Sequence, residues 1–221
     1  VHYAMKIQRK TLLLEKYSQD RSKILNERDC HISCSNHPFV MNVAYMFSSD
    51  NYVHIVTELS TFGDLSHILK SLPEKHFSQN HVKLYSAQIL LAIKYIHSIN
   101  LIHRDIKPGN ILLMNDGFVK LTDFGEMTSV HSKHKSQNQN LNIMHPIDFD
   151  ISETNNVVAS SIVGTPHYMA PEVPDNSYSM TVDMWSFGAT MYKLYVGHQL
   201  PDIEHIPKKC VILVKIIPMT Q

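Results

Sequence analysis

Between Leu101 and Met127 the chain reads LIHRDIKPGNILLMNDGFVKLTDFGEM, and no other stretch constrains the fold as tightly. Two short apolar runs, Ile111–Met114 and Val119–Leu121, flank Asn115-Asp116-Gly117, residues that accept the backbone of a tight turn. They read as paired strands. A polar segment with Asp105, Lys107 and Asn110 leads into the pair, and Asp123 leads out of it, followed at once by Phe124 and Gly125. The expected strand pair thus separates two carboxylates that lie eighteen residues apart in the sequence.

The rest of the chain supplies elements of both kinds. Val1, Tyr3, Met5 and Ile7 alternate with His2, Ala4 and Lys6, the period of a strand. Residues 12–34 read as a polar, weakly amphipathic helix, broken by the proline in His37–Val40. Residues 43–49 and 51–59 read as strands that turn at Asp50-Asn51. A short helix follows Gly63, and a long one starts after Ser78, a good N-cap, with Val82, Tyr85, Ile89, Ile93 and Ile96 as its stripe. Thr181–Val196 is apolar almost all round and predicts a helix buried on every side. Residues 131–156 are polar and aperiodic, and read as a mobile insert.

Composition removes several classes of function. Twenty basic and twenty acidic residues cancel, leaving no electrostatic footprint for nucleic acid or an anionic membrane. Cys30, Cys34 and Cys210 argue against a disulfide framework and for a reducing compartment, cytoplasmic or nuclear. The apolar run Cys210–Ile217 is too short to span a bilayer, and no signal peptide opens the chain. Cys30, His31, Cys34 and His37 offer a metal-like cluster, but their spacing does not match the usual zinc-finger patterns.

His103-Arg104-Asp105 with Asn110, Asp-Phe-Gly at 123–125, GTPHYMAPE at 164–172 and DMWSFG at 183–188 follow one another in that order. Over roughly residues 1–200 the chain resembles a eukaryotic-type serine/threonine protein kinase catalytic domain. Residues 27–40 and 116–125 look most like the group containing the cyclic-nucleotide-dependent kinases. The resemblance implies an α+β, two-lobed fold within one domain fragment. Residues 1–58 would form part of a small antiparallel-sheet lobe with one helix. Residues 59–200 would form a mainly helical large lobe, also incomplete, with an atypical tail at 201–221. The implied reaction moves the γ-phosphoryl of ATP, with Mg²⁺, to a serine or threonine of a protein substrate.

The same resemblance implies roles for individual residues. Asp105 would accept the proton of the substrate hydroxyl, Lys107 would steady the transferred phosphate, and Asn110 and Asp123 would supply oxygen ligands to Mg²⁺. Lys6 would contact the nucleotide phosphates and pair with a helix glutamate, for which Glu27 is the best match and Glu15 a weaker one. Ala4 and Leu112 would sandwich the adenine, and the backbone from Glu58 to Ser60 would hydrogen-bond it. Thr57 would guard the pocket behind, while Asp64 would contact the ribose or cap the next helix. Thr165 would join Asp105 and Lys107, in keeping with the serine/threonine class. Arg104 is a cation suited to a phosphate on Ser161, with Ser160 beside it, which implies an upstream activating kinase as a partner.

Several positions depart from the pattern. Basophilic relatives read arginine two residues before the acceptor with acidic side chains, where this chain has Gly109 and Lys193. His31 falls where relatives place an apolar residue against Phe124; a histidine there would titrate near neutrality, against which stand a slipped alignment and a ring satisfied by a hydrogen bond. The five residues given before Lys6 are too few to hold a glycine-rich phosphate-covering loop, and residues 204–221 do not resemble the helices that give relatives an arginine for Glu172, so Glu172 is expected to lack a partner. Two kinds of function follow: a working kinase, or an inactive or impaired kinase-like module that acts by binding proteins. Intact Lys6, Asp105, Asn110 and Asp123 favour the enzyme.

Overall fold

The structure, a computed structural model, describes residues 2–16, 29–129, 163–175 and 178–200. Glu27, Ser160, Ser161, the expected insert at 131–156 and the tail at 201–221 lie outside the described residues.

Strand β1 (Tyr3–Arg9) runs into the short helix α1 (Lys10–Lys16), and residues 29–34 are again helical (α2). Strands β2 (Val43–Ser48) and β3 (Tyr52–Glu58) form a hairpin, and β1 pairs with the far edge of β3, giving an antiparallel sheet of order β1-β3-β2. Alternation marks two faces of β1 without saying which is covered, because the period fixes only their separation. Here the apolar set is the open one: Tyr3, Met5 and Ile7 are 47, 52 and 58 % exposed, with Tyr45 and Phe47 of β2 beside them. Ala4 and Lys6 take the other face, opposite Thr57 and Ile55.

The second part is mainly helical. Helix α3 (Leu65–Ser71) starts at Asp64, and α4 (Gln79–Ser98) starts at Ser78, whose hydroxyl accepts the His81 N–H at 3.4 Å. Such a cap contributes about 1 kcal/mol. Tyr85, Ile89, Ile93 and Ile96 of α4 are buried as their spacing predicts, packing under the hairpin of β5 (Ile111–Leu113) and β6 (Val119–Leu121). Strands β4 (Leu101–Ile102) and β7 (Thr128–Ser129) form a second short pair that brackets the loops carrying Asp105 and Asp123. Helix α5 (Thr181–Val196) ends at Gly197, where φ is +88° and a Cβ would meet the Lys75 carbonyl oxygen at 2.6 Å. Burial on every side is not what α5 shows: Val182, Phe187 and Leu194 are buried, but among the described residues nothing covers Met184 or Tyr195, at 41 and 49 % exposure.

The cysteine- and histidine-rich stretch divides its side chains among different neighbours. Cys30 and Cys34 join the core, His31 packs on Phe124, and His37 stacks on Tyr95 at 4.9 Å. Burial pushes the Cys34 thiol up to about 12, so it is an inert core residue at neutral pH. Among the described residues no helix is long and apolar enough to cross a membrane.

Candidate active site

Asp105, Lys107 and Asn110 lie on the loop between β4 and β5, where a short 3₁₀ turn, Pro108–Asn110, folds the asparagine back beneath the aspartate. Asn110 Nδ2 donates to the Asp105 carbonyl at 2.8 Å and to Asp105 Oδ2 at 2.9 Å. Lys107 Nζ donates to the same Oδ2 at 2.7 Å and to Thr165 Oγ1 at 2.8 Å. The Thr165 hydroxyl donates to Asp105 Oδ1 at 2.7 Å. Both oxygens of one carboxylate are thus positioned by three side chains, one of them sixty residues away.

A second carboxylate, which sequence reading left unassigned, holds this loop from below. Asp183 on α5 has no exposed surface; its Oδ2 accepts the His103 N–H at 2.9 Å and His97 Nε2 at 2.8 Å, and its Oδ1 accepts the Arg104 N–H at 2.8 Å. Burial alone would raise its pKa, but the bonds and charge of His97, with those of His103, outweigh it and hold the carboxyl below its usual range. The signal was available: a carboxylate in a nearly all-apolar helix has to find donors. Arg104 sits at φ +70°, a left-handed conformation that costs a non-glycine residue energy unless its surroundings impose it. Asp183 fixes its N–H, and Gly164, at φ +112°, lets its carbonyl approach where a Cβ would stand 2.8 Å away. The Arg104 guanidinium donates to the Glu126 carbonyl at 2.5 Å and to the Tyr178 hydroxyl at 3.0 Å.

Across from the loop, Asp123 takes a left-handed conformation (φ 64°, ψ 76°) that places its carboxylate beside the sheet. Lys6 Nζ reaches its Oδ1 at 3.0 Å. Burial pushes the Asp123 pKa up, and the Lys6 ammonium more than reverses this, leaving the group below the usual carboxylate range. Glu27 lies outside the described residues; among them, Asp123 is the ion-pair partner of Lys6.

Residues 1–216 match the protein kinase domain family. The chain belongs to the protein kinase family. Among curated relatives it is 33% identical to a cGMP-dependent protein kinase of Plasmodium berghei, over 89% of this chain and 20% of that one. It is 34% identical to the serine/threonine-protein kinase sax-1 of Caenorhabditis briggsae (94% and 46%) and 32% identical to human serine/threonine-protein kinase Sgk1 (89% and 40%). The chain therefore spans between a fifth and just under half of the length of these relatives.

The remaining positions singled out in this member of the protein kinase family divide clearly. Ala4 pairs with Thr57 across β1 and β3, and Leu112 lies on β5, joined to Asp64 by a β-bridge. Asp64 caps α3, its Oδ1 accepting the His67 N–H at 2.8 Å. Ser60 Oγ donates to the Leu113 carbonyl at 2.7 Å, tying the Glu58–Ser60 segment to β5. Glu15 is exposed on α1, and Lys193 bonds the Gly197 carbonyl at 2.8 Å. Glu172 has no hydrogen-bond or ion-pair partner among the described residues, yet it is only half-buried, so water supplies much of its solvation.

His31 differs from expectation. Its ring packs edge-on to Phe124 at 4.4 Å, its Nε2 is buried with no hydrogen-bond partner, and burial, aided by the Lys6 charge, lowers its pKa to about 4 rather than near neutrality. The unfolded chain therefore binds more protons between about pH 6.5 and 4. The stability that neutral His31 contributes is complete above pH 6.5 and is lost as pH falls through the folded pKa, on the order of 3 kcal/mol in all. Chemical denaturation at pH 7 and pH 5 should show His31→Leu losing less stability than the wild type. Burial depresses His103 as well, so some acid dependence stays in both proteins and the difference between them is the measurement. Equal losses would remove His31 from the account.

Proposed function

We propose that this chain is the phosphotransfer unit of a serine/threonine protein kinase, moving the γ-phosphoryl of ATP to a serine or threonine hydroxyl of a protein. The observation that supports this best is the Asp105 carboxylate, held by Lys107, Asn110 and Thr165, with the Lys6–Asp123 pair near enough for the Lys107 charge to act on Asp123. A substrate hydroxyl entering there meets an oriented acceptor for its proton. Lys107, 27 % exposed, would release Asp105 Oδ2 and turn to the transferred phosphate, and Thr165 would keep the carboxylate in place while it does so. Lys6 would exchange Asp123 for the nucleotide phosphates.

The family uses ATP and typically Mg²⁺, and the residues present fit that ion. Among the described residues, no hydrogen bond takes up Asn110 Oδ1 or Asp123 Oδ2, two oxygen donors of the kind a hard cation prefers. Bound Mg²⁺ would screen the phosphate charge. Buried free cysteines on the α2 side support a reducing compartment, cytoplasm or nucleus. Arg104 remains the candidate receiver of a phosphate from an upstream kinase, Ser161 being the residue proposed to carry it.

Phosphorylation of a degenerate peptide library tests both the reaction and its selectivity. Incorporation on serine and threonine but not tyrosine is the expected result, with no enrichment of arginine two positions before the acceptor. If Lys193 and Gly109 face that position, as the resemblance implies, the lysine would bring positive charge there and the glycine has no side chain to offset it. Strong enrichment of arginine would contradict the assignment of those two positions; no incorporation at all would contradict the activity.

A further inference from the structure

Glu58 ends β3, just where the chain enters the segment whose backbone is assigned to the adenine, and its side chain makes a separate connection. Oε1 accepts from Lys120 Nζ at 2.5 Å and from the Asn42 N–H at 3.2 Å. Lys120 is the middle residue of β6, 16 % exposed, and stands directly opposite Leu112 of β5. One residue further along, Leu121 exchanges backbone bonds with the chain that enters β2: Met41 N–H to the Leu121 carbonyl at 2.8 Å, and Leu121 N–H to the Phe39 carbonyl at 2.9 Å. Three segments thus converge on one carboxylate: the end of β3, the entry to β2, and the strand that leads two residues later to Thr122 and Asp123.

We infer that the Glu58–Lys120 pair is a positioning device for adenine recognition. It fixes the Glu58–Ser60 backbone against the Leu112 floor, so the slot between them has its width before a nucleotide arrives. The inference rests on the kinase reading of this site. Two facts favour a fixed contact over a passing surface pair. The lysine is mostly covered, and the carboxylate oxygen is also held by a backbone N–H that cannot rotate away. A wall held in advance lowers the ordering cost of binding.

Titration with ATP and, separately, with adenosine tests this in five proteins: the wild-type chain, Lys120→Met, Glu58→Gln, their double variant, and the charge-exchanged Glu58→Lys/Lys120→Glu. Each single variant is expected to weaken both ligands by the same factor, about three- to tenfold. The ratio of ATP to adenosine affinity then stays constant, because the defect lies at the base and not at the phosphates. The double variant should be no weaker than the worse single one, and the exchanged pair should recover most of the loss. Unchanged adenosine affinity in the single variants, additive losses in the double variant, or weakening of ATP alone would overturn the inference. A wild-type chain that binds neither ligand would overturn the kinase reading, and this inference with it.

Discussion

Asp105→Asn is expected to slow phosphoryl transfer by about 10²–10⁴-fold, the range for loss of a positioned general base, with little change in ATP affinity. Asparagine fills the same space and keeps one oxygen to accept the Thr165 hydroxyl, now at 2.7 Å. Its amide nitrogen cannot accept, so the Lys107 ammonium and the Asn110 amide both lose their acceptor at the second position, and the substrate hydroxyl has no carboxylate to take its proton. None of these groups touches the assigned adenine wall, which is why the loss belongs in kcat. Single-turnover kinetics with saturating ATP and a serine peptide would read it directly. A variant with normal kcat and a raised KM for ATP would remove Asp105 from the chemistry.

How much of this was legible depended on sequence separation. Asp105, Lys107 and Asn110 could be grouped because all three stand within six residues of one loop, DIKPGN, whose proline restricts its backbone. The β5–β6 pair followed from the Asn-Asp-Gly turn, and Gly117 there has φ +83°. Thr165 was reachable only through resemblance, since nothing local ties it to a loop sixty residues earlier. The Glu58–Lys120 pair was not legible at all: either residue alone reads as an ordinary charged side chain, and only the fold brings the end of β3 within reach of β6. His31 was found as an oddity, but its titration was misjudged because burial, which sequence does not measure, dominates the shift. For β1, alternation marked two faces, and the rest of the sheet decided which one stayed open.

Asp183→Ala is expected to cost about 3–5 kcal/mol of stability, more than any other single truncation of the site. Two effects oppose each other here. Alanine removes a fully buried carboxylate, and with it the energy spent in stripping that charge of water. Against this, the substitution leaves the His103 and Arg104 N–H groups and His97 Nε2 without their acceptor, at about 1–3 kcal/mol for each buried donor. The loss wins because two of the donors are backbone groups of a loop that cannot be redesigned around an apolar residue. In a chain of this size the melting temperature should fall by roughly 6–20 °C. Activity should fall beyond what unfolding explains, since Arg104 loses the bond that helps hold its left-handed backbone, and Asp105 follows it in the chain. Asp183→Asn, which retains one acceptor oxygen, should lie between the two. Calorimetry and phosphotransfer assays run well below the melting temperature of each variant separate the stability effect from the loop effect. A loss under about 1 kcal/mol with full activity would mean that water or a neighbouring group replaces the carboxylate, and that α5 does not support the catalytic loop through this residue.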